Sequence, residues 1–195
     1  MGTYISVFLT HDLSSFRDTT EAPTRLRQTE ATCCEVSDYW RTVQPYEPYE
    51  RNETRWAADE ELDYVVHYAG PGSLWLAVTP RAARIHTGGR WRGFLSIPPL
   101  RRVHLAAFRS VAAALGSETM AISHDSTESV HEMFWAGATQ SACVAALQAS
   151  LGLPQASIDS IEPRVAAMTK HGVPNVWYLE RIQQVASGSD TSQST

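Results

Sequence analysis

The side chains with which this chain could do covalent chemistry are few. Cys143 sits in SACVAAL, and Cys33 and Cys34 are adjacent. A nucleophile needs a neighbouring base or a lowered pKa. No GxSxG elbow is present, and no basic residue flanks the cysteine pair. Cys143 falls at a helical position that faces the core with Leu147, where a thiol is inert. Seven histidines are spread along the chain, without HExxH or CxxC. His124, Asp125 and His131 come nearest to a ligand set, but their spacing matches no motif. No GxxxxGK[ST] or GxGxxG loop exists, and GPGS at Gly70–Ser73 reads as a turn. The sequence therefore predicts no catalytic residue, no metal and no cofactor.

Two charged stretches are more informative. The first is QPYEPYERNETRW, residues 44–56, running on into AADEELD. Seven acids and two arginines lie between Glu47 and Asp63. Pro45 and Pro48 stiffen the segment, so less entropy is lost on binding. Tyr and Trp are common interface anchors, and acid around them steers a basic partner. The predicted contacts are Tyr46, Glu47, Tyr49, Glu50, Glu53, Trp56, Asp59 and Glu60. The plainer reading is a surface loop whose aromatic rings fold back on the core.

The second is a block of seven arginines without an acid: Arg81, Arg84, Arg90, Arg92, Arg101, Arg102 and Arg109. Trp91 and Phe94 interleave with them, as in surfaces that grip phosphates and stack bases. RNP-type motifs are absent, and the net charge of −5 opposes a dedicated nucleic-acid binder. A solvated face paired with the acidic N-terminal third is the simpler reading. The alternative function carried by this block is a small enzyme on a phosphorylated or nucleotide-like substrate. Whether the acidic segment or Arg81, Arg84, Arg90 and Arg92 form the interface stays open.

The elements that must position these residues follow from periodicity. Tyr4–Thr10 alternates Ile5, Val7 and Leu9 against Tyr4, Ser6 and Phe8, which predicts a strand. Asp12 or Ser14 can cap a short helix, and a second helix runs from about Pro23–Thr24 through Cys33 and Cys34 toward Trp40. Four strand-like runs come next: Leu62–Tyr68, Leu74–Thr79, Ala83–Thr87 and Trp91–Ile97. Gly88-Gly89 predicts a type I′ hairpin turn between the last two. In the last run Arg90 and Arg92 would point outward, with Leu95 and Ile97 toward the core.

Pro98-Pro99 opens an amphipathic helix over Leu100–Leu115, stopped by Gly116. A strand at Thr119–Ser123 and helices at Thr127–Trp135 and Thr139–Leu151 follow, the last closed by Gly152. A further helix is expected within Ile158–His171 and a last strand at Val176–Leu179. The order predicts an α+β fold: a largely antiparallel sheet with a four-strand meander over about 62–97 and helices mainly on one face. One domain over 1–186 and a disordered tail over 187–195 are expected.

Three cysteines are too few for a disulfide framework and suit a reducing compartment. No apolar run reaches the roughly 18 residues of a membrane span, and MGTYISVFLTHD has no basic n-region. Residues 1–68 carry a net −7 and residues 69–195 a net +2. Fifteen of the sixteen basic residues are Arg, the imprint of a GC-rich genome.

The run LAVTPRAARIHTGGRWRGFLSIPPLRRVHLAAFRSVAAALG, followed by HEMFW, resembles the central region of bacterial immunity proteins of polymorphic or secretion-system toxin pairs. The resemblance covers about 74–135. It implies a small cytoplasmic protein that binds and inhibits one cognate toxin, and it implies no catalytic residue. An acidic aromatic surface suits the basic clefts of toxins that act on nucleic acids.

Overall fold

The computed structural model describes residues 4–15, 20–43, 56–59, 64–66, 72–125, 128–155, 158 and 176–182. The strands are β1 (Tyr4–Leu9), β2 (Ala57–Asp59), β3 (Tyr64–Val66), β4 (Leu74–Val78), β5 (Ala83–Arg90), β6 (Thr119–His124) and β7 (Tyr178–Arg181). They form one sheet in the order β2-β3-β4-β5-β1-β6-β7, and every pairing is antiparallel. The helices are α1 (Glu21–Leu26), α2 (Glu30–Val43), α3 (Trp91–Ser96), α4 (Pro98–Ala114), α5 (Glu128–Trp135) and α6 (Gln140–Leu151), with a 3-10 turn at Arg27–Thr29. The fold is α+β, as the sequence predicts.

The alternation along β1 divides the core in two. Ile5, Val7 and Leu9 point to one face, where Leu26, Val36, Phe94, Phe108 and Val111 from the first four helices meet them. Phe8 points to the other face, against Val130, Phe134, Cys143 and Leu147 of α5 and α6. The larger layer of helices thus lies on one face, and the shorter pair covers part of the second. Burying a side chain such as Phe8 contributes roughly 1.5–3 kcal/mol.

Helix ends follow the sequence signals. The Thr139 hydroxyl accepts from the Ala142 amide at 3.2 Å, capping α6, and Gly152 ends that helix at φ 81°. After α4 the chain turns at Gly116, φ 70°, with Gly116 N donating to Ala113 O and Ser117 N to Ala112 O.

Two expectations are overturned together. Trp91–Ile97 is not a strand: Trp91–Ser96 is helix α3. Trp91, Phe94 and Leu95 are all buried, a spacing of three and four residues that puts them on one helical face. A strand would have sent Phe94 and Leu95 to opposite faces. Leu95 does face the core, but Ile97 is 41% exposed. Arg101 donates to the carbonyls of Leu95 and Phe94, closing the C-terminal end of α3. Gly88-Gly89, in turn, is not a hairpin turn. It is a bulge inside β5, because Ile5 pairs with Thr87 while Tyr4 pairs with Arg90. The four-strand meander exists, but it is β2 to β5, beginning earlier and ending at Arg90. The last strand is also displaced, to Tyr178–Arg181. Most of the expected helix within 158–171, and the whole 187–195 tail, lie outside the described residues.

Candidate functional site

Of the predicted contacts, Tyr46, Glu47, Tyr49, Glu50, Glu53 and Glu60 lie outside the described residues. Asp59 is the last residue of the edge strand β2. Trp56 is described, and it is 4% exposed. Its indole Nε1–H donates to the Thr29 hydroxyl at 2.8 Å, and its amide donates to the Glu30 carboxylate at 3.4 Å. Trp56 is therefore a core residue, not an exposed anchor: an indole that finds a buried acceptor gains more inside than on a wet loop. It fixes the downstream end of the acidic segment at the start of α2. The upstream end leaves from Val43, the 46% exposed last residue of the same helix. Both ends of the segment are thus mounted on one helix, which packs along α4.

The arginines predicted to share one face are dispersed. Arg81 is exposed beyond the start of β5, while Arg90 ends that strand. Arg92 is exposed on α3. Arg101 closes α3, and Arg109 pairs with Glu180 of β7. Arg84 is the exception, being 6% exposed on the second face of the sheet.

That second face carries a polar assembly that no sequence motif announced. Antiparallel register sets Trp75, His86, Ser6 and Ser123 in one row across β4, β5, β1 and β6. Arg84 donates to Ser6 Oγ from Nε at 3.3 Å and from Nη2 at 2.9 Å, and Nη2 also lies 3.3 Å from His86 Nδ1. A guanidinium can only donate, so His86 Nδ1 is the acceptor and the ring carries its proton on Nε2. Trp75 stacks on His86 with centroids 5.5 Å apart, and Tyr4 meets the same ring edge-on at 5.7 Å. From α5, His131 lies 6.1 Å from the Phe8 ring. Its Nε2 is buried without a hydrogen-bond partner among the described residues.

The electrostatics keep these imidazoles neutral. Burial, then the Arg84 charge, holds His86 down at about 4. Burial, then Arg84, His86 and His124, holds His131 down at about 3. Burial also lowers His124. Asp125 opposes this trend weakly at His86, and its carboxylate accepts the Tyr4 amide at 2.9 Å. Among the described residues, no three of His, Cys, Asp and Glu are grouped to hold a metal ion.

Two of the three cysteines are set against nucleophilic chemistry. Burial pushes the Cys33 thiol up to about 12, and it raises Cys143 as well. Both side chains are fully buried. No helix among the described residues is long and apolar enough to cross a membrane. No family model matches the chain, and no curated protein or solved structure does either.

Proposed function

We propose that this chain is a cytoplasmic immunity protein that binds a cognate bacterial toxin and blocks its active site with the acidic, aromatic segment 44–55. One observation carries the reading. Trp56 pins one end of that segment to Thr29 and Glu30, and Val43 delivers the other end from the same helix. A segment clamped at both ends to a packed helix loses less entropy on binding than a free one. Glu47, Glu50 and Glu53 supply the charge that would attract a basic cleft, and Tyr46 and Tyr49 supply the anchors. The raised thiols of Cys33 and Cys143 weigh against a cysteine enzyme.

The test is co-expression with the product of the adjacent gene. Rescue of growth with a co-purifying complex supports the reading. A toxic neighbour that is neither rescued nor bound removes it.

A further inference from the structure

The two helices over the second core are held very differently. α6 is tied at both ends. Gln140 donates to Phe8 O at 3.0 Å and to Thr119 O at 2.9 Å, and Gly152 O accepts from Trp177 Nε1 at 2.7 Å. α5 has only 8 residues, and of its described side chains Val130 and Phe134 alone are fully buried. Gly137 stands between the helices at φ 82°, with nothing within 4 Å of where a Cβ would be. The pivot suits an α5 that lifts while α6 stays.

His131 is the polar side chain that α5 sets against the sheet. Its ring lies 6.1 Å from that of Phe8, and its Nε2 is buried without a hydrogen-bond partner among the described residues. The Arg84 guanidinium stands 6.0 Å from the same Phe8 ring, donating to Ser6 Oγ and to His86 Nδ1. The other titratable neighbours come from several elements. β5 contributes His86 beside Arg84, and β6 contributes His124, whose ring is 6.0 Å from Trp91. Asp125, just past β6, acts on His86 and His124. α6 contributes the Cys143 thiol, which burial raises. β1 presents Ser6 and Phe8, neither of which titrates, and Glu132 of α5 itself is exposed. A proton on His131 therefore makes a second cation near Arg84, with no acceptor for it at Nε2 among the described residues.

We propose that α5 is an acid-released flap over the second core, with His131, packed on Phe8 near Arg84, as its latch. Burial, then Arg84, His86 and His124, holds His131 down at about 3 in the closed state, against 6.5 in water. The open state therefore takes up a proton below about 6.5 that the closed state refuses until about 3, so acid favours opening across that window. From pH 6.5 to 4.5 the open population should rise about fiftyfold through His131 alone. A lifted helix of this length does not persist in water, so α5 unwinds as it opens. The inference does not rest on the toxin-binding reading, since residues 44–55 leave from α2, which packs in the first core.

Native-state hydrogen exchange of the whole chain tests it, read as protection factors so that the acid slowing of exchange chemistry divides out. The amides of Phe134, Trp135 and Ala136 report the flap, and those of Leu105–Phe108 in α4 report global unfolding. From pH 6.5 to 4.5 the flap amides should lose protection by about fiftyfold, remaining at least about tenfold less protected than the α4 amides. His131→Leu, and His131→Gln as a second untitratable variant, should hold that loss within about fivefold, with α4 protection showing that each variant is folded. His104→Phe, on the other face, should leave the loss intact. Flap and α4 amides that exchange at one common level overturn the flap. A flat flap profile, or the native loss in both His131 variants, overturns the latch.

Discussion

Gly89 and His104 share one space. A Cβ on Gly89 would lie 2.7 Å from Nε2 of His104 and 3.2 Å from Cδ1 of Ile5. His104 is fully buried on α4, its Nδ1–H donating to Leu100 O at 2.9 Å, with its ring packed on Phe108 at 5.7 Å and Phe94 at 6.3 Å. The bulge at Gly88-Gly89 is therefore locked from behind by a core imidazole. Gly89→Ala should destabilise by about 1–3 kcal/mol through overpacking alone, since Gly89 does not have a positive φ. In the Gly89→Ala, His104→Ala double variant the losses should fall short of additivity by roughly 0.5–3 kcal/mol, because the alanine methyl enters the vacated space. Chemical denaturation of the four proteins measures the coupling, and strict additivity contradicts the shared space.

The same histidine sets a pH dependence. Burial holds His104 down at about 4, against an ordinary 6.5. The unfolded chain therefore binds more protons than the folded one between these values, and stability rises with pH across that window. The stabilisation is complete above about 6.5, is lost as pH falls, and levels off below about 4. Between pH 6.5 and 4.5 the loss from His104 should be about 2–3 kcal/mol. His86 and His131, lowered for the same main reason, act in the same direction. Denaturation midpoints across this range check the slope, and His104→Phe should flatten part of it. A flat profile in the native protein would mean that the imidazoles charge freely in the folded state.

Much of the scaffold is readable from local pattern. The Ile5, Val7, Leu9 alternation against Phe8 divides the two cores as written, and Thr139 and Gly152 bound α6. Residues 91–97 were ambiguous for a physical reason. Trp91, Gly93, Leu95 and Ile97 fit a period of two, while Trp91, Phe94 and Leu95 fit a helix, and only the burial of Phe94 beside Leu95 decides between them. Gly-Gly satisfies a hairpin and a bulge equally; the choice rests on the pairing of Tyr4, more than eighty residues upstream, with Arg90. The polar assembly around His86 was not legible at all. It arises from the registers Trp75–His86 and Ser6–His86, which bring together residues that share no local motif.

Thiol reactivity should separate the three cysteines. Cys33 and Cys143 are fully buried with raised pKa values, whereas Cys34, its neighbour on α2, is half-buried. The thiolate is the reacting form, so burial and a raised pKa both slow attack. In the native protein one thiol equivalent should be alkylated at a measurable rate and the other two only on unfolding. Peptide mapping should place the first adduct on Cys34. Rapid modification of Cys143 would require that α6 opens from the sheet.

The Trp56 clamp is testable apart from any partner. Trp56→Phe keeps most of the buried ring but removes the N–H that meets Thr29 Oγ1, so it should cost about 1–2 kcal/mol. Thr29→Val also removes the bond from its hydroxyl to Leu26 O, so the double variant should lose less than the sum of the two single costs by about the one shared hydrogen bond. Independent costs for the two substitutions would contradict the clamp.

The acidic segment makes a separate kinetic prediction for the toxin complex. Opposite charges steer encounter, and salt screens that steering over about 8–10 Å at physiological ionic strength. Reversing Glu47, Glu50 and Glu53 to Lys should slow association by roughly tenfold or more at low salt. It should also abolish or invert the fall of the association rate with added salt, while dissociation changes less. Stopped-flow association over a salt series with the purified toxin reads both quantities. An association rate and salt slope equal to those of the native chain would move the interface away from residues 44–55, and the exposed Arg81 and Arg92 would be the next to reverse.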